Sequence, residues 1–410
     1  MTGKTPSFTF GIEEEYLLVD RETRDLAEDT PRAMIQAFRK ELGMAFSREY
    51  INSQIEVCTP VCATLAEGRA SLAYSRKVIA QVAGRYGLAP IAAGTHPFAK
   101  WGAQQHTDLP RYNSLAVDLA GLGRRMIVNG LHVHVGIASN EARIKLMNEL
   151  RPLLPILLAL STSSPFWQGE NTGLKSFRTA INDSTPRKGI PETFTSWKDY
   201  QSAIAALARA GVIEDATKIW WDVRPSATYP TLEMRITDVT PLLDDTMCIV
   251  ALFRCFCRSL SRGTAEQPSA LAKIAGSGPT HMALINENRW RAQRYGTGEG
   301  LINFASGRVA SLNVILDDVL TAIREDAEHF GCVAEVEHAR TILARGSSAD
   351  RQIACYKVLR EQGSTTDEAL IGVVSQLMTE TAAVCGRPVA RFGSRRTIEA
   401  ASGELSRRAQ

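Results

Sequence analysis

Three consecutive glutamates lie in a segment near the start of the chain that otherwise has the composition of a β-strand, FTFGIEEEYLLVD (8–20). Side chains on a strand alternate between the two faces of a sheet. The aromatic and branched residues of this segment therefore share one face, Glu13 and Glu15 lie on the other, and Glu14 is left on the apolar side. Glutamate is depleted in strands, and neighbouring carboxylates repel one another. The alternation predicts a strand with one buried face and one acidic face.

The same two-faced pattern recurs in three later segments, YINSQIEVC (50–58), IVNGLHVHVGI (127–137) and TLEMRITDV (231–239). Branched apolar residues alternate there with polar positions, and the polar positions include Glu56, His132, His134, Glu233 and Arg235. A half-exposed antiparallel sheet with a solvated polar face accounts for each segment taken separately. It does not explain why the polar positions are paired glutamates and a His-x-His, with glycines beside them.

A second interpretation is that the four polar faces belong to one face of one sheet. The carboxylates of Glu13, Glu15, Glu56 and Glu233 would then lie within a few ångströms of one another and repel strongly unless cations compensated them. Oxygen-rich sites of this kind suit Mg²⁺ or Mn²⁺, which also bind nucleotide phosphates. Arg235 would lie beside the metals and face a phosphate or a carboxylate.

Composition and charge exclude several other classes of protein. The chain has 410 residues, is 44% hydrophobic and 22% charged, and carries a net charge of +3, which gives no reason to expect nucleic acid or an anionic membrane as a partner. The most apolar stretch, LRPLLPILLAL (150–160), is interrupted by arginine and proline and is shorter than the ~20 residues of a membrane span. Eight scattered cysteines and the lack of a targeting signal predict a reduced, cytoplasmic protein.

The chain is expected to form one catalytic domain, 1–410. Strand-like and helical segments alternate in a sheet-rich core, 8–240, which carries most of the site, and the pattern becomes mainly helical over 241–385. A Gly- and Pro-containing segment, 262–280, is expected to be a connector, and the basic, polar stretch 386–410 is expected to be a tail.

Several of these motifs together resemble the carboxylate–amine ligase family, which includes the type 2 glutamate–cysteine ligases. The matching blocks run in order from about Phe8 to Tyr295: GIEEEYLLVD, IEVCTPV, NGLHVHVGI, STSSPFWQGENTGLKSFR, IWWDVRP, TLEMRITD and NRWRAQRYG. The resemblance implies an α+β fold like that of glutamine synthetase and guanidino kinases. In that fold, helices pack on one face of a curved antiparallel β-sheet and the other face is an open active site.

The resemblance also implies roles for particular residues. The expected metal ligands are Glu13, Glu15, Glu56, His134 and Glu233. The expected cofactor-binding residues are Arg178, His132 and Arg224, and the expected catalytic residues are Arg235 and Glu15. At His134 some relatives carry asparagine, and Glu49 is a weaker match to a further acidic residue of the family.

The implied activity is an ATP-dependent ligase that forms a C–N bond, with ATP and Mg²⁺ (or Mn²⁺) as cofactors. The product that the resemblance implies is γ-glutamylcysteine, which is made from L-glutamate and L-cysteine through an acyl phosphate. Small molecules are the expected substrates, and a homo-oligomer is possible. Two alternatives are an ATP-dependent phosphotransferase on the same scaffold and a non-catalytic relative that binds nucleotide.

Other motifs have simpler interpretations. GENTGLKS (169–176) fails the spacing of a phosphate-binding P-loop and is expected to be a loop near the site. Cys255 and Cys257 lie in an apolar helical segment and are expected to be buried thiols rather than a metal site. For Asp222 and Arg224 in IWWDVRP, a strand ion pair and a contact from Arg224 to a substrate carboxylate are about equally expected.

Overall fold

A computed structural model describes residues 8–264, 266–278 and 280–383. Its strands are β1 (Phe10–Asp20), β2 (Phe46–Arg48), β3 (Gln54–Cys58), β4 (Leu88–Ile91), β5 (Leu131–Gly136), β6 (Phe166–Trp167), β7 (Glu170–Asn171), β8 (Val223–Pro225), β9 (Thr231–Met234), β10 (Leu301–Asn303) and β11 (Arg308–Ala310). Seven of them form one sheet in the order β2-β3-β1-β5-β9-β8, with β4 also paired to β1. All pairings in this sheet are antiparallel, as expected.

Helices make up most of the rest of the described chain. They are α1 (Arg32–Leu42), α2 (Leu65–Gly84), α3 (Pro110–Leu119), α4 (Asn140–Leu150), α5 (Leu154–Ser161), α6 (Phe177–Asp183), α7 (Trp197–Arg209), α8 (Leu243–Arg262), α9 (Ala270–Ala275), α10 (His281–Tyr295), α11 (Leu312–Ala322), α12 (Arg324–His329), α13 (Val333–Arg345), α14 (Ser348–Glu361) and α15 (Thr366–Ala382). The predicted α+β class is therefore confirmed.

The apolar face of the sheet is covered by helices. Phe10, Ile12 and Val133 belong to the main core together with buried residues of α2, α5 and α8. Helix α8 contributes almost its whole length to this core, including the buried thiols Cys255 and Cys257. Burying these side chains provides the dominant favourable term in folding, roughly 25 cal/mol per Å² of apolar area.

The side chain of Glu14 points into this apolar core, as the alternation predicts, and is paired there. The guanidinium of Arg76 in α2 lies 2.5 Å from the Glu14 carboxylate, and Thr246 in α8 donates to it at 3.0 Å. The second of the three glutamates is thus part of the packing between sheet and helices, whereas Glu13 and Glu15 occupy the opposite face.

That opposite face is acidic only over part of β1. Beyond Glu15, Leu17 and Val19 join a second apolar cluster with Leu370 and Val373 of α15. Helix α15 therefore packs on the same side of β1 as the acidic residues, further along the strand. The sequence pattern did not indicate this second layer.

The later part of the described chain is mostly helical from Leu243 to Ala382, with β10 and β11 as a separate hairpin. The expected connector 262–280 contains the short helix α9. No helix of the described residues is long and apolar enough to cross a membrane. The expected division into one domain with a sheet-rich and a helical part stays a prediction, and the expected tail, 386–410, lies outside the described residues.

Candidate active site

Strand register brings the predicted polar residues into adjacent rows. Across β1 and β3, Glu15 lies directly opposite Glu56. Across β1 and β5, Glu13 lies opposite His132, and across β5 and β9, His134 lies opposite Glu233. Directly opposite residues have Cβ atoms about 4.5–5.5 Å apart. The structure therefore places these six side chains on one face of the sheet.

One cluster is centred between β1, β5 and β9. Nε2 of His134 lies 3.2 Å from Glu13 Oε1 and 4.0 Å from Glu233 Oε1. Nδ1 of the same ring lies 2.9 Å from Thr231 Oγ1, which fixes the ring orientation. One ligand atom from each of Glu13, His134 and Glu233 lies within 4.8 Å of the others, so the three can hold a metal ion together.

A second cluster lies between β1 and β3. Ligand atoms of Glu15, Glu49 and Glu56 lie within 4.8 Å of one another, and Glu56 accepts a hydrogen bond of 2.8 Å from Ser47. Glu49 follows the last residue of β2. Glu49, the weaker match to an acidic residue of the family, therefore also lies on the acidic face.

The two clusters are linked by His132. Its Nδ1 lies 3.1 Å from Glu13 Oε2, and its Nε2 lies 3.8 Å from Glu15 Oε1. Glu13, Glu56 and His132 form a third group whose ligand atoms lie within 4.8 Å. The acidic face is therefore continuous from β3 to β9.

Crowding and burial shift the pKa values of the carboxylates on this face. Burial and the charge of Glu15 raise the pKa of Glu49 to about 8. Burial and the charges of Glu49, Glu13 and Glu15 hold the pKa of Glu56 well above its usual value. Carboxylates packed this closely cannot all be ionised unless positive charge is added.

The carboxylates of the first cluster are compensated by the protein. Burial raises the pKa of Glu13, but hydrogen bonds to His132 and His134 outweigh it and hold that pKa well below its usual value. Burial also raises the pKa of Glu233, but the charges of Arg235 and Arg224 outweigh it and hold the pKa low.

The donor set fits Mg²⁺ or Mn²⁺. Carboxylate oxygens predominate in both clusters, and hard divalent ions prefer oxygen ligands, with Mn²⁺ also accepting imidazole. The cluster of Glu15, Glu49 and Glu56 has an excess of negative charge that a divalent ion would neutralise. The sequence-predicted ligands are thus close enough to act together, with Glu49 as an additional candidate.

Two arginines enclose Glu233. Nε of Arg224 lies 2.8 Å from Glu233 Oε2, and a guanidinium nitrogen of Arg235 contacts Oε1. Arg224 therefore pairs with Glu233 on the adjacent strand, and the expected ion pair between Asp222 and Arg224 within one strand is wrong. Asp222 pairs instead with Arg289 of α10 at 2.6 Å, and Arg289 also binds Asp183.

Arg178 is the second residue of α6, which follows the segment 169–176; that segment was expected to be a loop and contains the two-residue strand β7. The guanidinium of Arg178 donates to the carbonyls of Arg235 and Ile236 at 3.2 Å, and its Nε has no hydrogen-bond partner among the described residues. The side chain also crosses close to Gly130, where an added Cβ would lie 2.3 Å from Arg178 Nη2. Glycine at 130 therefore lets Arg178 approach the strand that carries His132.

Sequence reasoning missed Lys188, whose pKa is lowered to about 7 by burial and by the charges of Arg235 and Arg178. Its signal was weak, because the segment TPRKGIP has no periodicity that assigns Lys188 to the sheet face. Arg289 was also not singled out, although it lies in the block NRWRAQRYG. Arg291 and Arg294, in the same block, donate to the backbone carbonyls of Gly300 and Gly173.

The architecture is shared with solved ligases. A bifunctional glutathione synthetase from Pasteurella multocida superposes with a TM-score of 0.65 at 15% identity, covering 91% of this chain and 52% of that one. The chain thus spans about half the length of the Pasteurella protein. A glutamate–cysteine ligase from Francisella tularensis, solved with AMP, gives a TM-score of 0.63 at 10% identity and covers 99% of this chain and 94% of that one. The fold is therefore that of the glutamate–cysteine ligase class.

The family is shown by sequence. The chain belongs to glutamate–cysteine ligase family 2 (GCS2), whose model matches residues 9–376. A protein from Rhodospirillum rubrum named "Putative glutamate--cysteine ligase 2" is 48% identical over 93% of this chain and 98% of its own length. A protein of the same name from a Jannaschia species is 47% identical over 91% of this chain and 96% of its own length. The resemblance inferred from the motifs is therefore confirmed.

Proposed function

We propose that this protein is an ATP-dependent carboxylate–amine ligase that joins L-glutamate to L-cysteine and forms γ-glutamylcysteine. The observation that carries the proposal is the pair of ligand clusters on one sheet face, Glu13–His134–Glu233 and Glu15–Glu49–Glu56. Two adjacent cation sites, with buried Arg178 and half-buried Arg224 and Arg235 beside them, are suited to binding a nucleoside triphosphate together with an anionic acid. Membership of the GCS2 family supports glutamate and cysteine as the substrates.

The reaction would proceed in two steps. The γ-phosphoryl group of ATP is transferred to the γ-carboxylate of glutamate, which gives an acyl phosphate and ADP. The amino nitrogen of cysteine then attacks the acyl carbon, the C–O bond to phosphate breaks, and the amine loses a proton as phosphate leaves. Mg²⁺ or Mn²⁺, when bound, would neutralise phosphate charge during the transfer.

The chain's own residues supply positioning and charge. Glu13, Glu15, Glu56, His134 and Glu233 would hold the cations, and Arg235 would offset negative charge on the transferred group. Arg178 and His132 lie beside this face and would bind the nucleotide or the substrate carboxylate. Arg224 supports Glu233 through its ion pair, so its role would be to hold a ligand in place. Preorganised charges of this kind commonly contribute a factor of about 10²–10³ each.

A substrate panel with Mg-ATP tests the proposal. Acids and amines are supplied singly and in pairs, and both released phosphate and product mass are measured. Phosphate release that requires glutamate and cysteine together, with the mass of γ-glutamylcysteine, is the expected result. Phosphate retained on a single acceptor would identify a phosphotransferase, and ATP binding without turnover in the whole panel would identify a non-catalytic relative. Either outcome contradicts the proposal.

A further inference from the structure

Asp238 lies a few residues beyond the end of β9, where it forms an antiparallel bridge with Gly130. Its side chain has no exposure to solvent. An isolated ionised carboxylate is too costly to bury, so a buried one needs donors or a cation around it. An added Cβ at Gly94 would lie 2.8 Å from the carboxyl carbon of Asp238, so glycine at 94 leaves room for this carboxylate. The surroundings of Asp238 are therefore shaped to hold it.

Hydrogen bonds from three serines hold the Asp238 carboxylate. Its Oδ2 accepts from the amide of Ser163 at 2.9 Å and from the hydroxyl of Ser164 at 2.7 Å. Its Oδ1 accepts from the hydroxyl of Ser176 at 2.8 Å. Ser176 directly precedes α6, but its side chain makes no capping bond to that helix. These bonds join the segment after α5 and the start of α6 to the chain that continues β9.

The remaining partner of the carboxylate is Arg178, two residues after Ser176. Nη1 of Arg178 lies 3.9 Å from Asp238 Oδ1, and the amide of Arg178 donates to Ser164 Oγ at 3.1 Å. Burial lowers the pKa of Arg178, and the charge of Asp238 is the largest of the effects that oppose this. Asp238 therefore supplies the main negative charge that faces this buried guanidinium.

The other contacts of the Arg178 guanidinium are neutral. Its Nη1 and Nη2 donate to the carbonyls of Ile236 and Arg235 at 3.2 Å, and its Nε has no partner among the described residues. These two carbonyls and the Asp238 carboxylate belong to one segment, 235–238, so the guanidinium lies along it and beside Gly130. A change at the Asp238 carboxylate would therefore move the guanidinium relative to the acidic face.

We propose that Asp238 is the positioning residue for Arg178, and that its carboxylate holds the guanidinium in the orientation in which it meets an anionic group of a substrate. This inference rests on the proposed function, which assigns Arg178 to the nucleotide or to the substrate carboxylate. Asp238 has no exposure to solvent and so does not contact a substrate itself. A buried ion pair is screened little by salt, so loss of the carboxylate should be felt at Arg178.

Asp238→Asn separates positioning of Arg178 from anchoring of the three serines. The asparagine oxygen, in place of Oδ2, can still accept from Ser163 and Ser164. The asparagine nitrogen, in place of Oδ1, can donate to the hydroxyl of Ser176, because a hydroxyl both donates and accepts. A guanidinium cannot accept a hydrogen bond, so Arg178 alone loses its partner.

Asp245→Asn is the matched control. Asp245 is also buried and pairs with Arg345 at 2.7 Å, but it lies on α8 and makes no printed contact with Arg178 or Asp238. A variant at Asp245 therefore removes a buried ion-paired carboxylate without touching the proposed positioning contact.

The first measurement does not depend on turnover. Arginine is labelled with a nitrogen isotope, and the Nε–H resonance of Arg178 is assigned by its absence from Arg178→Met. Asp238→Asn should shift this resonance and speed its exchange with water, while Asp245→Asn should leave it unchanged. An unchanged resonance in Asp238→Asn would overturn the proposal, whatever reaction the protein catalyses.

The second measurement is a double-mutant cycle with glutamate, cysteine and Mg-ATP. Asp238→Asn should lower kcat/KM by about 10- to 100-fold, because a small misplacement of a positioned group is costly. In the Arg178→Met background the same change should alter kcat/KM by less than about threefold, since the residue through which Asp238 acts is gone. Asp245→Asn should have the same effect in both backgrounds. Equal losses from Asp238→Asn in both backgrounds would leave Asp238 a structural role only and contradict the proposal.

Two further outcomes keep the proposal testable. If Asp238→Asn does not fold, Ser176→Ala takes its place, since it removes one donor to Oδ1 and keeps the carboxylate. It should shift the Arg178 resonance less, and its effect on kcat/KM should likewise disappear in Arg178→Met. A wild type that releases no phosphate with any acid and amine would contradict the proposed function, and the resonance would still decide whether Asp238 holds Arg178.

Discussion

The guanidinium of Arg76 and the carboxylate of Glu14 form a bidentate ion pair with donor–acceptor distances of 2.5 and 3.0 Å, buried directly beneath the acidic face. Neither side chain has appreciable exposure to solvent. Glu14 therefore neutralises a helix-borne charge inside the core, while its two neighbours in the sequence keep their charges on the other face. The pair connects the strand that carries the site to α2.

Breaking this pair should destabilise the protein. Glu14→Ala leaves the Arg76 guanidinium without its carboxylate, and an uncompensated buried charge costs about 3–5 kcal/mol. Urea unfolding should show this loss in the free energy of unfolding. The double variant Glu14→Leu/Arg76→Met should recover much of it, since both charges are then removed. A double variant no more stable than Glu14→Ala would mean that the ion pair is not the cause.

Glu13→Gln should remove metal-dependent turnover and leave the fold intact. Glu13 contacts both histidines and belongs to two of the three ligand groups, so its neutral isostere would weaken the site that it forms with His134 and Glu233 and the group that it forms with Glu56 and His132. We expect phosphate release to fall at least about 100-fold, with an unchanged circular dichroism spectrum. Glu22→Gln, at an exposed turn, is the control and should retain full activity. Metal-dependent turnover that persists in Glu13→Gln would contradict the metal assignment.

Glu56→Gln should stabilise the metal-free protein. Burial and the charges of Glu49, Glu13 and Glu15 make an ionised Glu56 unfavourable in the folded protein, a cost that glutamine does not have, and Ser47 can still donate to the amide oxygen. We expect a gain of about 0.5–2 kcal/mol, the usual size of a single stabilising substitution. Adding Mg²⁺ should raise the thermal midpoint of the wild type more than that of Glu56→Gln, which keeps only the site of Glu13, His134 and Glu233 intact. Equal responses of the two proteins to Mg²⁺ would show that Glu56 does not bind the ion.

Gly130→Ala should lower activity by displacing Arg178. A Cβ at this position would lie 2.3 Å from Arg178 Nη2 and 2.8 Å from His132 Nε2, closer than real Cβ contacts allow. We expect at least a tenfold fall in kcat/KM, because small misplacements of positioned groups are costly in catalysis. Gly102→Ala, where an added Cβ meets nothing within 4 Å, is the control. A Gly130→Ala enzyme with normal kinetics would show that the position of Arg178 does not matter.

The acidic face was predictable because it depends on a local rule. Alternation along single strands separates Glu13 and Glu15 from Glu14, and the same rule places His132, His134 and Glu233. Register was not predictable from the pattern, since pairing of Glu15 with Glu56 depends on how two distant strands align. The family motifs supplied what the alternation lacked, because they imply that these strands are neighbours.

The features that were missed depend on contacts between segments far apart in the chain. Arg76 reaches Glu14 from a helix, and nothing in the helical pattern distinguishes this arginine from a surface one. Lys188 lies in an irregular segment that is paired through its backbone with residues 220–222. The second apolar cluster joins Leu17 to Leu370, a contact that no local periodicity encodes.

Lys188→Met should stabilise the protein in a pH-dependent way. The folded protein lowers the pKa of this lysine from 10.5 to about 7, because of burial and the charges of Arg235 and Arg178, which exceed the opposing effect of Glu15 and Asp222. Between these two pH values the unfolded chain binds more protons than the folded chain, so the stability of the wild type rises with pH across that window. Below about pH 7 Lys188 is protonated in both the folded and the unfolded state. The folded protein then bears the full cost of keeping this positive charge in its surroundings.

Thermal unfolding of the wild type, Lys188→Met and the control Lys198→Met, at an exposed lysine of α7, should therefore be compared from pH 6.5 to pH 10. Lys188→Met should gain about 1 kcal/mol at pH 6.5, because the variant no longer bears the cost of a charged ammonium in these surroundings. The gain should shrink as the pH approaches 10, where Lys188 is neutral in the folded wild type and the cost of charging it has disappeared. A gain that is independent of pH would mean that packing, rather than the charge of Lys188, sets the difference.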